Sequence, residues 1–132
     1  MDVVLFACVH NAGRSQMAAA WFNKMSDPMK ARAISAGTQP GDHVHPEVVQ
    51  VMREEGVDVA SVKPQLLSEG LARQATLLIT MGCGDACPYV PGLKKLDWGL
   101  PDPKGQPIET VRKIRDEIRE RVLALATERD WL

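Results

Sequence analysis

Five residues separate Cys8 from Arg14 in the run Cys8-Val9-His10-Asn11-Ala12-Gly13-Arg14-Ser15. A thiolate beside a planar guanidinium fork suits nucleophilic attack on a tetrahedral oxyanion, with the fork holding two of its oxygens. Chance supplies such a Cys–Arg pair in about one chain in five at this content of the two residues, so the context has to carry the weight. An apolar run, Val3–Ala7, precedes the pair and a helical pattern follows it. A short Gly-containing loop between strand and helix can turn its backbone N–H groups inward as an anion nest, aided by the helix N-terminus. Val9, His10, Asn11, Ala12, Gly13, Arg14 and Ser15 are therefore candidate oxyanion-binding residues, and the same field favours the thiolate of Cys8. The alternative, a buried strand-end Cys and a surface Arg, leaves Arg14 unexplained against the helix dipole. Ser15 either donates to the Cys8 sulfur or is an ordinary first-turn serine.

Two further thiols lie in Met81-Gly82-Cys83-Gly84-Asp85-Ala86-Cys87-Pro88. Three intervening residues let Cys83 and Cys87 close a disulfide if the loop is not helical. Zinc would need two more ligands, and the chain has no second Cys pair and no His pair at ligand spacing, so no metal is expected. His43 and His45 read as polar loop residues. Asp102, between Pro101 and Pro103, is either a general acid aimed by a stiff backbone or a common Asp-Pro turn. Asp97 is the rival acid.

The elements that must position these groups follow from periodicity. Val3–Ala7 reads as a strand buried on both faces, Thr76–Met81 as a β-branched, apolar strand stopped by Gly82, and Ala33–Ala36 as a short strand closed by Gly37. Helices are expected over Arg14–Met25, from Pro46 to before Gly56, weakly over Leu66–Gln74, and over Ile108–Thr127. Val57–Val59 is a short strand or an extended connection. The last helix carries the stripe Ile108, Val111, Ile114, Ile118, Val122 and Leu125, with Arg112/Asp116 and Glu117/Arg121 as i, i+4 pairs. Residues 82–106 hold five of the ten glycines and four of the nine prolines and read as irregular, the kind of long loop that is usually functional or disordered. Alternating strands and helices imply an α/β fold with a mainly parallel sheet, and ligands in such folds bind beyond the strands' carboxyl ends. Cys8 and Cys83 both follow strands directly.

Composition narrows the classes. At 132 residues, 45% hydrophobic and 25% charged, the chain reads as a single domain spanning 1–132. A net charge of −1 supplies no bulk field for nucleic acid or anionic membrane. No apolar run reaches the roughly 20 residues of a membrane span, and the N-terminus lacks a signal-peptide pattern. The default expectation is therefore a cytoplasmic setting, and three cysteines are too few for a disulfide scaffold.

Cys8–Ser15, with Ser35-Ala36-Gly37, Asp97-Trp98-Gly99 and Asp102-Pro103, resembles the low-molecular-weight tyrosine phosphatase superfamily and, within it, the thioredoxin-coupled arsenate reductases. The resemblance covers essentially the whole chain. It implies a three-layer fold, a four-stranded parallel sheet flanked by helices, with Cys8 as nucleophile, Arg14 as oxyanion clamp and Asp102, directly before a proline, as general acid. It further implies arsenate as substrate and a relay in which Cys83 attacks the Cys8 sulfur and Cys87 then attacks Cys83. Thiol–disulfide exchange carries every transfer, so no cofactor is expected, and thioredoxin or another thiol donor resets the pair. The protein is expected to act as a monomer. The alternative activity is hydrolysis of phosphomonoesters such as phosphotyrosine, and a third reading is a non-enzymatic oxyanion or redox module. With six aromatics in the chain, and only Tyr89 and Trp98 as Tyr or Trp near the active loops, walls to stack a phenyl ring are hard to assemble. The late cysteines are closer together than in one well-known branch of the reductases. A branch of that family also holds potassium near the loop Asn. Asn11 and Ser35 match, while Lys63 either puts an ammonium at that place or is a solvated surface lysine.

Overall fold

A computed structural model of the chain describes residues 1–82 and 91–132. Among the described residues four strands, β1 (Asp2–Cys8), β2 (Ala31–Gly37), β3 (Leu77–Thr80) and β4 (Lys94–Asp97), form one sheet in the order β2-β1-β3-β4, parallel throughout. The central position of β1 explains its unbroken apolar run, since both of its faces are covered. Alternate residues point to opposite sides. Val4, Phe6 and Cys8 join the larger core, and Leu5 and Ala7 join a smaller one with Ala36, Leu67, Ala72 and Leu78.

Helices α1 (Arg14–Met25), α2 (Pro46–Arg53) and α4 (Ile108–Glu128) supply the larger core. The short α3 (Glu69–Arg73), capped by Ser68 Oγ accepting from the Leu71 N–H at 3.1 Å, covers the other face. Its five residues are fewer than the helical pattern from Leu66 suggested. Val57–Val59 is an extended connection, not a strand. The apolar stripe of α4 is buried as expected, apart from the half-buried Ile108. Of the two expected i, i+4 pairs, Glu117–Arg121 forms at 3.8 Å. Arg112 instead turns across to Glu54 of the α2 C-terminus at 2.8 Å and pairs with Glu109, and Asp116 pairs with Arg115. A carboxylate presented by a packed neighbouring helix outcompetes one along the same exposed face.

The irregular stretch conceals β4. Lys-Lys-Leu-Asp lacks an apolar run because this strand lies at the sheet's edge, where charged side chains also block further pairing. Its register, Leu77↔Lys94 to Thr80↔Asp97, brings Asp97 beside the end of β3 and starts the chain toward Asp102. Trp98 packs on Phe6 at 5.7 Å between ring centroids, which makes it core and removes it as a wall for a substrate ring.

Candidate active site

Register alone gathers the functional ends. Cys8 is paired with Gly37 at the carboxyl end of β1 and β2, and the chain turns there into the loop 9–13 that feeds α1. A side chain at Gly37 would meet the Val9 carbonyl at 2.6 Å and the Asn11 nitrogen at 2.9 Å, so only glycine lets the loop lie on β2. The loop's carbonyls are then taken up on one side. Those of Cys8, Val9, His10 and Ala12 accept from the N–H groups of Thr38, Gln39, Gly41 and His45 at 2.8–3.2 Å. In a trans peptide the N–H points opposite to the carbonyl. Those bonds therefore turn the N–H groups of Val9, His10, Asn11 and Gly13 away from the 38–45 segment, which is how backbone makes an anion nest. Residues 38–45, which the sequence offers only as a loop, are the scaffold that orients it.

Asn11 is the keystone of the turn. It is fully buried with φ +50°, a left-handed conformation that Asn tolerates better than most residues. Its Nδ2 donates to Ser15 Oγ at 2.7 Å, and its Oδ1 accepts from Gln65 N at 2.9 Å and Gln16 Nε2 at 3.2 Å. Asn11 donates into the Ser15 oxygen, and Ser15 Oγ lies 2.9 Å from Cys8 Sγ. Toward a Cys8 thiolate, which has no proton to give, the hydroxyl is the donor. Gln65 also donates from Nε2 to the Ser35 carbonyl at 2.8 Å, so it bridges Asn11 and β2, while Lys63 is exposed.

Arg14, only 7% exposed, begins α1 with its guanidinium turned into the site. Nη1 donates to the Leu100 carbonyl at 3.0 Å, and Nη2 lies 3.9 Å from Asp102 Oδ2. On its other side is Gly82, φ +95°, where a Cβ would collide with Nη1. The guanidinium is held between the end of β3 and the 100–103 segment, and a missing side chain makes room for it. Asp102 is half-exposed, and its Oδ1 accepts from Lys104 N at 3.0 Å, a local turn that fixes the carboxylate. Asp97 is occupied elsewhere, with Oδ1 accepting from Thr80 Oγ1 at 2.8 Å at the β3–β4 edge. Cys8 thus stands at the start of the nest loop and the Arg14–Asp102 pair at its end, and the rival acid is engaged at the sheet edge.

His10 is tied by Nδ1 to the Gln39 carbonyl at 3.1 Å. His45 lies closer to the chemistry than its loop position suggested. Burial holds its pKa below the usual 6.5, against the raising influence of Asp102 and Glu47. Cys83 and Cys87 lie outside the described residues. Among the described residues no group of three or more His, Cys, Asp or Glu side chains is placed to hold a metal ion, and no helix is long and apolar enough to cross a membrane. Gln16 and Leu100 carry no signal in the sequence, while Gly82, expected as the stop of a strand, also makes room for Arg14, and Gln65 belongs to the segment compared above with the potassium-holding branch.

Comparison with known proteins bears on this geometry. Residues 3–130 match the family model described as low molecular weight phosphotyrosine protein phosphatase. A putative arsenate reductase of Halobacterium salinarum is 40% identical over 127 residues, covering 93% of this chain and 89% of that protein. The solved thioredoxin-dependent arsenate reductase of Corynebacterium glutamicum superposes with a TM-score of 0.84 at 38% identity, over 97% of this chain but 61% of that one. A low molecular weight protein tyrosine phosphatase from T. tengcongensis superposes with a TM-score of 0.86 at 26% identity, covering 97% of this chain and 99% of that one.

Proposed function

The chain belongs to the low molecular weight phosphotyrosine protein phosphatase family, and from that premise we propose that it is a cytoplasmic arsenate reductase working by a three-cysteine relay. Supporting the reading is one loop with Cys8 at its start and the Arg14–Asp102 pair at its end, in a chain whose relatives over nearly their full length are named arsenate reductases. The nest and Arg14 bind arsenate, and the Cys8 thiolate attacks arsenic(V) as Asp102 protonates the departing hydroxide to water. Cys83 then attacks the Cys8 sulfur. The sulfur–arsenic bond breaks, its electron pair leaves with arsenic as arsenite, and a Cys8–Cys83 disulfide remains. Cys87 attacks Cys83 and frees Cys8, and an external dithiol of the thioredoxin type reduces the Cys83–Cys87 bond. All the protein thiols of this cycle belong to one chain, so a monomer suffices.

Phosphomonoester hydrolysis is the second reading, favoured by the same Cys–Arg–Asp set, which is all an ester needs. Cys87→Ser separates the two. The relay predicts one turnover of arsenate that stops with Cys8 joined to Cys83, read by mass mapping of the disulfide, and continued thioredoxin-driven turnover would overturn the role of Cys87. A phosphatase keeps hydrolysing a chromogenic phosphate ester after Cys83 and Cys87 are both replaced. Cys8→Ser must abolish either activity, or the enzymatic readings fail together.

A further inference from the structure

Within residues 101–104, Pro101, Asp102 and Lys104 are exposed and Pro103 alone is buried. Its ring is seated on Gly13 of the oxyanion loop. A Cβ built on Gly13 would stand 2.7 Å from Pro103 Cγ and 3.4 Å from Cδ, with His45 Cδ2 at an ordinary 3.6 Å. Pro103 in turn carries the acid. Asp102 precedes it directly, the Asp102 carboxylate is locked by Lys104 N at 3.0 Å, and Gln106 N closes the turn on the Pro103 carbonyl at 3.1 Å. The segment behaves as one small rigid piece whose depth is set where the ring meets a residue with no side chain.

We propose that Gly13 and Pro103 are a positioning pair that sets the distance from Asp102 to the oxyanion. The proposal rests on Asp102 acting as the general acid of the reading above. A methyl group at position 13 needs about 3.5–4.0 Å from the ring carbons, so ring and loop must separate by about 1 Å, and the exposed acid segment is the side with room to retreat. Proton transfer needs hydrogen-bond reach, and a misplacement of that size costs up to about 100-fold. The absent side chain at position 13 therefore has a catalytic consequence.

The test measures the single-turnover rate of thiol loss in the reduced full chain at saturating arsenate, alongside inorganic phosphate affinity from protection of Cys8 against alkylation. Gly13→Ala is expected to slow the rate by about 10- to 100-fold, a larger factor than any loss of phosphate affinity it brings. Gly13→Ala/Pro103→Ala, which removes the ring carbons the methyl would strike, should recover the rate to within about threefold of Pro103→Ala alone. In an Asp102→Asn background Gly13→Ala should cost less than about twofold more, because the acid it displaces is already gone. Multiplication of the two defects, absence of recovery, or a loss confined to phosphate affinity would each overturn the pair. Should Gly13→Ala fail to fold, Pro103→Ala alone decides. It is expected to slow the rate about threefold with Asp102 present and not at all in the Asp102→Asn background, and an equal effect in both overturns the proposal. A wild-type protein inert toward arsenate overturns the arsenate reading instead, and the same ratios are then judged on phenyl phosphate hydrolysis. Inertness toward both substrates overturns the pair as well.

Discussion

Asn11→Ala removes the keystone of the oxyanion loop without touching the nucleophile, the clamp or the acid. Three side-chain hydrogen bonds go with it, at 2.7, 2.9 and 3.2 Å, in a residue with no solvent exposure. At about 1 kcal/mol net for each, they sum to about 3 kcal/mol. Alanine must also adopt φ +50°, at about 1 kcal/mol more. The expected loss of about 4 kcal/mol is a large part of the roughly 5–15 kcal/mol that holds a typical domain. The assay is equilibrium urea unfolding of the reduced protein, where that loss lowers the midpoint by about 2 M at a slope of about 2 kcal/mol/M. Gln65→Ala is the control. It removes the 2.8 Å side-chain bond to the Ser35 carbonyl but keeps the backbone N–H that reaches Asn11, so it should cost about 1 kcal/mol. Inorganic phosphate should raise the wild-type midpoint and raise that of Asn11→Ala much less, because ligand stabilises only a native state that can bind it. A loss under about 1 kcal/mol for Asn11→Ala, with phosphate stabilisation intact, would refute the keystone argument.

Gly82→Ala drives a methyl into Arg14 Nη1 and should weaken phosphate and arsenate affinity by at least about tenfold, measured by protection of Cys8 from alkylation. Arg115, with a side chain 9% exposed, donates to the Val51 carbonyl and to Glu54, so Arg115→Met should unfold at lower urea, by about 1–2 kcal/mol, with activity retained. His45 is held below its ordinary pKa of 6.5 by burial, so the native state binds its proton less readily than the unfolded chain. Its contribution is complete above pH 6.5 and declines as pH falls through that value toward the depressed native pKa. Unfolding measured across that window should show a shallower loss of stability on acidification in His45→Gln than in wild type. An unchanged slope would refute it.

The chemistry-bearing types were legible in the chain itself. A thiol and a guanidinium separated by five residues, bracketed by an apolar run and a helical pattern, specify strand, turn and helix by local physics, and those elements appear where periodicity places them. Long, strongly patterned segments such as β1, α1 and α4 carry their own signal because burial repeats along them. The edge strand β4 does not, since a strand with one neighbour and a solvated outer side needs no apolar run. Nor does any local signal tell that Arg112 reaches Glu54 in place of Asp116, because that choice depends on which helix packs alongside.

Distances between separate segments were settled only by folding. Two aspartates five residues apart compete for one role in the sequence. The β3–β4 register gives Asp97 to Thr80 and leaves Asp102 beside Arg14. The nest depends on carbonyls drawn outward by residues 38–45, the Ser15 hydroxyl is aimed by Asn11, and the room for Arg14 is the empty space at Gly82. The sequence determined which groups are present and which elements carry them, since composition and periodicity act over a few neighbouring residues. The tertiary structure decided which groups meet and at what distance, because those contacts join residues tens of positions apart and exist only once the sheet has set its register.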